Sequence, residues 1–514
     1  MNATQIKSLV IVLALSGLSW WLAARITPQG LLTKDALAKL RNTWLGVSVI
    51  AFASGNFLLF TLGSLVLLMR IRKTVSPTAT YTALLLTIPG FEYELSGFGP
   101  IQTLFSITFP RLLVWAVLIP ALISQTRQPH RKAFGSSPTD WAALLPGVVI
   151  FCLQIQFDSL TNSLRAIVYF LSDSFLIYYA MSRLLKDRRD LAEAIWGVCI
   201  GTGALSLIAI FEFSSRWLMY DGLDDALGVP AALSYLMRQG TGWLRAIAST
   251  GHPLVLGYVS AIAALLYLCV DPPTKAEGTK RLWWLIGLAC LLGALFASVS
   301  RGMWVGFVAG YGAWLLSGPG ALKKSTLAAV SGLLVLGIAS MTESGEQVIQ
   351  TLPFIGTSDQ ENVIYRQRLL EISMMVIREN LWLGSTTYMS HPAMQALIQG
   401  QGIIDIVNTF LGYALSTGVI GLSLFVGAFV FTMWGIWVRT RANKQPEDQL
   451  TRLGRGLFSA LAATLVMIST TSSVGVIAMV YWMLIGLGVS YCFIHDREVA
   501  AAAKQAQSSR ANTA

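Results

Sequence analysis

Long apolar runs alternate with short polar connections along almost the whole chain. Runs of about 17 to 25 residues are long enough to cross a bilayer as helices, and the first covers residues 8–24. Hydropathy predicts about fourteen such helices, the second of them centred near residue 57. The third is interrupted at Pro89 and Gly90. This pattern predicts an all-α polytopic membrane protein.

Basic residues in the short connections predict which side of the membrane each loop occupies. Most lysines and arginines fall in loops such as 70–73, 127–132, 183–189 and 439–455, and such an excess is typical of cytoplasmic loops. This assignment places both ends of the chain in the cytoplasm. The segment TKDALAKLRN at 33–42 falls on the outer side despite its three basic residues, and we expect it to lie along the interface as a helix.

Two long polar stretches are expected on the outer side, at about residues 214–251 and 342–408. Functional groups on that side must come from these two periplasmic or extracellular loops and from helix ends. We therefore divide the chain into four parts. They are an N-terminal transmembrane bundle (1–241), a candidate catalytic region (242–438) that includes the loop 342–408, C-terminal transmembrane helices (439–494) and a cytoplasmic tail (495–514).

Composition agrees with a membrane protein and removes several classes of function. Of the 514 residues, 54% are hydrophobic and only 12% are charged, with a net charge of +11. The five cysteines show no C-x-x-C spacing, so neither a disulfide framework nor a metal site is indicated. No basic run is interleaved with aromatic residues, and nucleic acid is therefore not an expected partner.

The end of the first outer loop combines a cation with a titratable ring. Arg245 is followed by a turn of small residues, and His252 and Pro253 come next. Proline is favoured at the first helical position, so a helix begins there and its N-terminus can hold an anion. The alternative is a capped return into the membrane, with Arg245 on lipid phosphate and His252 merely at the interface.

Other arginines are also expected on the outer side. Arg301 lies in a tight turn, so it either reaches lipid headgroups or points into an outer cavity. Arg165, at another outer helix end, has the same two interpretations. Arg366 and Arg368 open a helical pattern in the large loop, where a solvated charged face is the alternative. Their gathering on one side of the membrane favours a functional role for at least one of them.

The large loop closes with Asp405 and Asn408, just before a long apolar run. Residues three apart share a face on a helix, so both would point to one side. Helix capping alone also explains these two residues. His391, beside Pro392 in mid-loop, is either a loop residue or a base. The catalytic candidates are therefore Asp405, Asn408, His252 and His391.

Four pieces of this region resemble the O-antigen ligase/polymerase family. These bacterial membrane glycosyltransferases include O-antigen polymerases, O-antigen ligases and some protein O-oligosaccharyltransferases. The pieces are RAIASTGHPLVLG at 245–257, SVSRG at 298–302, RLLEISMMVIRENLWLG at 368–384 and VNTFLGYALSTGVIGL at 407–422. The resemblance depends on the order of the pieces, and the first 240 residues add only compatible hydropathy.

The resemblance implies a GT-C-like enzyme of the bacterial inner membrane, without metal or other cofactor, whose active site faces the periplasm. It also implies an undecaprenyl-diphosphate-linked oligosaccharide as substrate and outer-loop arginines that bind the diphosphate. A lipid diphosphate is already an activated leaving group, and guanidinium groups hold its charge bidentately. This role is assigned to Arg245, Arg301, Arg366 and Arg368, with Arg165 as a further candidate. Besides membrane lipids, a chain-length regulator and a flippase are the expected partners.

One position departs from the family. Many members, the ligases especially, have His-Asn at the close of the large loop, where this chain has Val407 and Asn408. Asp405 is the substitute candidate for the general base, with His252 and His391 as alternatives. The expected function is a polysaccharide polymerase for O-antigen or exopolysaccharide. The alternatives are an O-antigen ligase, a protein O-oligosaccharyltransferase and, from another class, a lipid-linked sugar transporter, which would place its charges in mid-membrane.

Overall fold

The structure of the chain, a computed structural model, describes a largely helical protein. The described residues are 2–97, 103–124, 131–230, 233, 236–237, 242–270, 277–342, 360–398, 402–443 and 448–513. Within them, eight helices are long and apolar enough to cross a membrane, and three shorter apolar helices accompany these eight. The described residues also contain a two-stranded antiparallel sheet. The expected all-α polytopic membrane fold is confirmed.

The first part of the chain alternates helices with short turns. In chain order its elements are α1 (Ala3–Ile26), α2 (Lys34–Ala53), α3 (Phe57–Ile71), α4 (Pro77–Leu84), β1 (Tyr93–Ser96), β2 (Thr103–Ile107), α5 (Phe109–Leu113), α6 (Ile119–Ser124), α7 (Pro138–Phe157), α8 (Leu160–Phe170), α9 (Leu176–Arg183) and α10 (Arg188–Ser215). Short π-helical segments join α5 to α6 and α8 to α9. Each pair therefore forms one continuous helical path.

The remainder contains the two outer loops and the last helices. Its elements are α11 (Leu223–Leu227), α12 (Pro253–Tyr267), α13 (Gly278–Ala297), α14 (Arg301–Leu316), α15 (Ala321–Ala339), α16 (Gln360–Glu379), α17 (Pro392–Gln395), α18 (Thr409–Ala442), α19 (Gln449–Ile468) and α20 (Ile477–Thr513). Of the loop 342–408, residues 343–359 and 399–401 lie outside the described part. The proposed domain boundaries stay predictions.

Polar caps and small residues explain why these helices form and pack closely. Asn56 caps α3 and Asp187 caps α10, each through its side-chain oxygen. In α10, Gly197 and Gly201 lie directly against the backbone of α4, where a larger side chain would not fit. The helices α10 and α12 are buried along most of their length, as is the first half of α20, so they form the centre of the bundle.

The two ends of the bundle differ in their polar contacts. We call the end with Arg245 and Arg301 the upper face and the opposite end the lower face. The lower face contains ion pairs that join separate helices, such as Arg183 with Asp140 at 2.6 Å, Arg188 with Glu498 at 2.5 Å and Arg439 with Asp496 at 2.7 Å. These pairs connect α9 with α7, α10 with α20, and α18 with α20.

The contacts of α1 reverse its expected direction. The Gln5 side chain donates to the carbonyl of Gly222, beyond the upper end of α10, at 3.1 Å. The Trp196 indole, in the lower half of α10, donates to Thr27 at 3.0 Å. Thus α1 begins at the upper face and ends at the lower face. The expectation that both ends of the chain lie on the same side is therefore wrong.

The error comes from the apolar run around residue 57, which is two antiparallel helices rather than one. Asn56 ends the turn between α2 and α3 by capping α3. The segment 33–42 is the start of α2, with Leu37 and Leu40 buried in the bundle, and it does not lie along the interface. Since α2 rises from the lower face, the three basic residues of this segment join the other basic loops there.

Candidate active site

Arg245 is fixed against the turn between α13 and α14. Its Nη2 donates to Ser300 Oγ at 2.9 Å, and its Nε donates to the carbonyl of Ser298 at 3.4 Å. Ser300 Oγ also lies 3.3 Å from the carbonyl of Pro253, at the start of α12. Arg301, the first residue of α14, follows directly. Two of the predicted anion-binding arginines therefore lie side by side on the upper face.

Both turns at this corner contain a non-glycine residue with a left-handed backbone. Ala248 has a φ of 46° and Val299 a φ of 45°, conformations that cost about 1–3 kcal/mol each and persist only where surrounding contacts fix them. The backbone N–H of Ala246 donates to the carbonyl of Ala297 at 3.0 Å and so ties the two turns together. The corner is therefore a strained but well-braced support for Arg245.

His252 caps α12 at the same corner. Its Nδ1 accepts the backbone N–H of Leu254 at 3.1 Å, so the proton of the neutral ring is on Nε2. Burial, and then the charge of Arg245, lowers the pKa of His252 to about 4. A neutral ring in this tautomer donates a hydrogen bond from Nε2 and does not take up a proton there. His252 is therefore better suited to contact a substrate than to act as a base.

A hydroxyl-rich loop between α19 and α20 forms the floor of the site. We call residues 469–475, with the sequence STTSSVG, the hydroxyl loop. The carbonyl of Thr470 accepts a hydrogen bond from Arg366 Nη2 at 3.2 Å. On the other side, a side chain at Gly302 would lie only 2.3 Å from Thr470 Oγ1, so the start of α14 packs directly on this loop. Arg301 and Arg366 thus approach the hydroxyl loop from two directions.

Asp405 lies at the same loop. The Tyr365 hydroxyl donates to the Asp405 carbonyl at 3.0 Å and accepts its backbone N–H at 3.1 Å, which fixes the backbone. The half-buried carboxylate lies near Ser472 and in the field of Arg366. Burial raises the pKa of Asp405, whereas Arg366 and the hydrogen bond from Ser472 lower it. A carboxylate beside a cation and reachable by solvent can accept a proton.

Asn408 caps α18 next to Asp405. Its Oδ1 accepts the backbone N–H groups of Phe410 and Leu411 at 2.9 and 3.2 Å. Both the N–H and the hydroxyl of Thr409 donate to the Thr471 carbonyl, at 3.0 and 2.8 Å, and so fasten this helix start to the hydroxyl loop. Because the cap uses Oδ1, the Nδ2 hydrogens of Asn408 are its remaining polar group. The capping interpretation of Asn408 is confirmed, and a catalytic role stays a prediction.

The two arginines of α16 face different directions. Residues two apart on a helix are separated by about 200°, so they do not share a face. Arg366 reaches the hydroxyl loop, whereas Arg368 is exposed and makes no side-chain hydrogen bond or ion pair within the described residues. Leu369 and Val376 are buried against α18 and hold the helix in place. The structure therefore brings Arg366, but not Arg368, to the site.

The segment that follows α16 is inserted at a break in α18. Gly418, inside α18, has a φ of 64° and a ψ of −166°, which is not helical. The N–H groups freed there donate to the preceding segment, from Val419 to the Leu381 carbonyl at 2.9 Å and from Ile420 to the Trp382 carbonyl at 3.2 Å. The third and fourth sequence pieces are therefore one structural unit, which anchors the large loop to the bundle.

Arg165 and His391 lie elsewhere in the described contacts. Arg165 Nε donates to the carbonyl of Leu104 on β2 at 3.2 Å. His391 caps α17 through Nδ1, and its Nε2 lies 3.2 Å from the carboxylate of Glu379. Both ring nitrogens of His391 are thus engaged. Within the described residues, neither Arg165 nor His391 contacts the hydroxyl loop. Their assigned roles stay predictions.

Two parts of this site are absent from the sequence-based expectations. The hydroxyl loop is not among the predicted site segments, although five consecutive serines and threonines at the end of an apolar run are a usable signal. In the sequence, Glu212, a buried acid at the upper end of α10, looks like an ordinary residue at a helix end.

In the described residues, no three His, Cys, Asp or Glu side chains form a group that could hold a metal ion.

Comparison with known proteins agrees with the resemblance inferred from the four sequence pieces. A family model described as O-antigen ligase matches residues 286–426. This range contains the second, third and fourth pieces and leaves out Arg245, Glu212 and the hydroxyl loop. No curated protein matches the chain. The apolar helices together with this match indicate a multi-pass membrane protein with a region similar to O-antigen ligases. Residues 286–426 thereby confirm the resemblance to the O-antigen ligase/polymerase family.

Proposed function

We propose that this chain is a polysaccharide polymerase that makes O-antigen or exopolysaccharide. It would transfer the growing glycan from undecaprenyl diphosphate to the next lipid-linked repeat unit. The observation that supports this best is the position of the Arg245–Arg301 corner and of Arg366 with Asp405 on two sides of the hydroxyl loop, from segments far apart in the sequence. Three cations and one carboxylate suit a substrate with an anionic leaving group and a hydroxyl acceptor.

The arginines would stabilise the departing diphosphate. Charge on the diphosphate grows as the bond between its oxygen and the anomeric carbon breaks, and fixed cations are worth most where charge develops. Arg245 suits this role because Ser298 and Ser300 already fix its guanidinium, so little reorganisation is needed. No metal is required in this scheme, because the guanidinium groups supply the positive charge. Arg368 and Arg165 would act outside this cluster.

Asp405 would take the proton of the acceptor hydroxyl. The acceptor oxygen forms a bond to the anomeric carbon as the diphosphate leaves with the electron pair, and the hydroxyl proton moves to the Asp405 carboxylate. Arg366 and Ser472 favour the ionised form that this role needs. His252 is neutral and can donate from Nε2, so it suits a contact with a substrate oxygen.

The upper face would be the periplasmic face of the inner membrane. The basic residues of α2 lie at the lower face, together with those of the lower ion pairs. Positive residues gather on the cytoplasmic side of membrane proteins, so this distribution supports a cytoplasmic lower face. The arginine cluster would then face the compartment in which lipid-linked repeat units are polymerised, downstream of the expected flippase.

A ligase is the second candidate, because the matching family model is described as O-antigen ligase. Such an enzyme would transfer finished glycan to lipid A core or to a protein. The absence of a histidine at Val407 favours the polymerase, since many ligases of the family have His-Asn there. Both reactions use the same donor and the same displacement, and they differ only in the acceptor.

Deleting the chain in its native host distinguishes these functions. Gel and mass analysis of surface and lipid-linked glycans should show single repeat units accumulating, with no long polymer. Full-length polymer retained on its lipid carrier would identify a ligase instead. Unchanged glycans in both pools would contradict either activity. An Asp405→Asn variant that accumulates normally but fails to restore the polymer would connect the phenotype to this site.

A further inference from the structure

Glu212 is a buried carboxylate whose two oxygens accept hydrogen bonds from backbone N–H groups. It lies in the last turn of α10 and is 0% exposed. Its Oε1 accepts the N–H of Met219 at 2.9 Å, and its Oε2 accepts the N–H groups of Ile247 and Ala248 at 3.0 and 2.7 Å. A buried carboxylate is costly unless hydrogen bonds compensate for the lost water. Three backbone donors provide that compensation here.

The backbone that Glu212 holds is the turn that follows Arg245. Ile247 and Ala248 are two and three residues after this arginine, and Ala248 has the left-handed backbone noted above. Two further contacts fix the same turn, since Ser249 Oγ donates to the Leu86 carbonyl and Thr250 Oγ1 donates to the Ile247 carbonyl at 2.7 Å. Both hydroxyl groups donate to carbonyls, and the N–H groups of Ile247 and Ala248 donate to Glu212.

We propose that Glu212 is a positioning residue of the active site, which fixes the Arg245 turn and thereby places the Arg245 guanidinium at Ser298 and Ser300. This inference depends on the proposed function for its effect on activity, although the contact itself does not. The N–H groups of Ile247 and Ala248 converge on one oxygen of Glu212, and a carboxyl oxygen has lone pairs for both. Glu212 thus acts on the reaction through Arg245 and does not touch the substrate.

Glu212→Gln tests the contact directly. The amide oxygen can accept, but the amide NH₂ would face a backbone N–H, so at least one hydrogen bond is lost. We expect hydrogen–deuterium exchange of the purified full-length protein to accelerate at one or more of the three donors Met219, Ile247 and Ala248, with the rest of α10 unchanged. Glu193→Gln is the matched control, because Glu193 lies in the same helix and pairs with Arg189 instead. Unchanged exchange in Glu212→Gln would overturn the proposal.

A double-mutant cycle tests whether Glu212 acts through Arg245. We expect Glu212→Gln to lower the rate of glycan transfer by roughly 10²-fold, comparable to loss of one stabilising donor. Combined with Arg245→Ala, it should add little, because the group that it positions is already gone. Independent, multiplying losses would overturn the proposal. Normal activity of Glu212→Gln would do so as well.

A shorter carboxylate keeps the test informative if Glu212→Gln does not accumulate. Glu212→Asp retains the carboxylate but reaches less far, so exchange at Ile247 and Ala248 should be faster than in wild type, and the transfer rate should fall between those of wild type and Arg245→Ala. Wild-type exchange in Glu212→Asp together with lost activity would contradict the proposal. A wild-type protein that transfers no glycan, yet shows the expected exchange pattern, would refute the proposed function and leave the contact established.

Discussion

Glu212 and Asp405 are two carboxylates on the upper face with opposite uses. Glu212 is fully buried, and backbone N–H groups take up both of its oxygens. Asp405 is half-buried, and its side chain faces the Arg366 guanidinium and the Ser472 hydroxyl. Burial keeps Glu212 away from any substrate, whereas Asp405 keeps acceptor capacity on its open side.

The difference shows how surroundings decide what an acidic residue can do. A carboxylate surrounded by backbone donors fixes the chain, and its removal would damage geometry. A carboxylate that lies beside a cation and a hydroxyl and is open to solvent can bind and release a proton, and its removal would damage chemistry. The two losses should therefore be separable by experiment, because only the first changes local backbone protection.

The largest expected effect comes from Asp405→Asn, which keeps the shape but removes the base. The transfer rate should fall by about 10² to 10⁴-fold, while hydrogen–deuterium exchange of the Arg245 turn stays as in wild type. Rates are to be measured with purified lipid-linked substrate. Asp225→Asn, at an exposed carboxylate of α11 on the same face, is the control. Full activity of Asp405→Asn would break the comparison, since the base would then lie elsewhere.

Arg366→Ala should have the next largest effect, and it tests the role of the cation beside Asp405. Loss of this guanidinium should lower the transfer rate by about 10²–10³-fold. Arg368→Ala is a matched control two residues away on the same helix, and its rate should change little. Equal losses in the two variants would show that α16 acts through its general charge and not through the Arg366 contact with Thr470.

Gly418→Ala tests whether the large loop must be anchored at the break in α18. A side chain there would lie 2.4 Å from the Trp382 backbone, at a positive φ, so we expect a loss of about 1–3 kcal/mol in the free energy of unfolding. Thermal unfolding of the purified protein measures this loss. Gly412→Ala, in the same helix, has its nearest neighbour at 3.9 Å and should be close to neutral. Equal stability of both variants would refute this anchoring role.

The smallest expected effect is a shift in pH dependence from Ser472→Ala. The hydrogen bond from Ser472 lowers the pKa of Asp405, so its loss raises that pKa. A base is active when deprotonated, and the acidic limb of the rate profile should therefore move to higher pH. Ser473→Ala is the control, because Ser473 Oγ lies near Thr409 and Tyr481 instead. A profile that does not move would separate Ser472 from the base.

Hydropathy predicts much of the fold, but it does not predict the direction in which each helix crosses the membrane. Apolar runs predicted the spans because a bilayer requires about 20 residues with internally satisfied backbone. The break at Asn56 was missed, since a single polar residue barely changes a hydropathy average. That one omission reversed α1. It also produced a false exception to the distribution of basic residues at Lys34, Lys39 and Arg41.

The site was predictable only where residues carry a recognisable pattern. Arg245, Arg301, Arg366 and Asp405 were expected on one side of the membrane, and the structure brings them together. Their meeting point was not expected, because the hydroxyl loop has no signature beyond its composition and is about 60 residues from Asp405 in the sequence. The separation of Arg366 from Arg368 follows from helical geometry and could have been predicted.

The direction of α1 has a practical consequence for how the protein is handled. Because α1 begins at the upper face and α20 ends at the lower face, a reporter joined ahead of α1 and one joined after α20 would occupy different compartments. With the proposed periplasmic upper face, alkaline phosphatase, which needs an oxidising environment to fold, should be active only at the first position, and green fluorescent protein should fluoresce only at the second. The same proposal places an affinity tag behind α20 in the cytoplasm, where it needs no export.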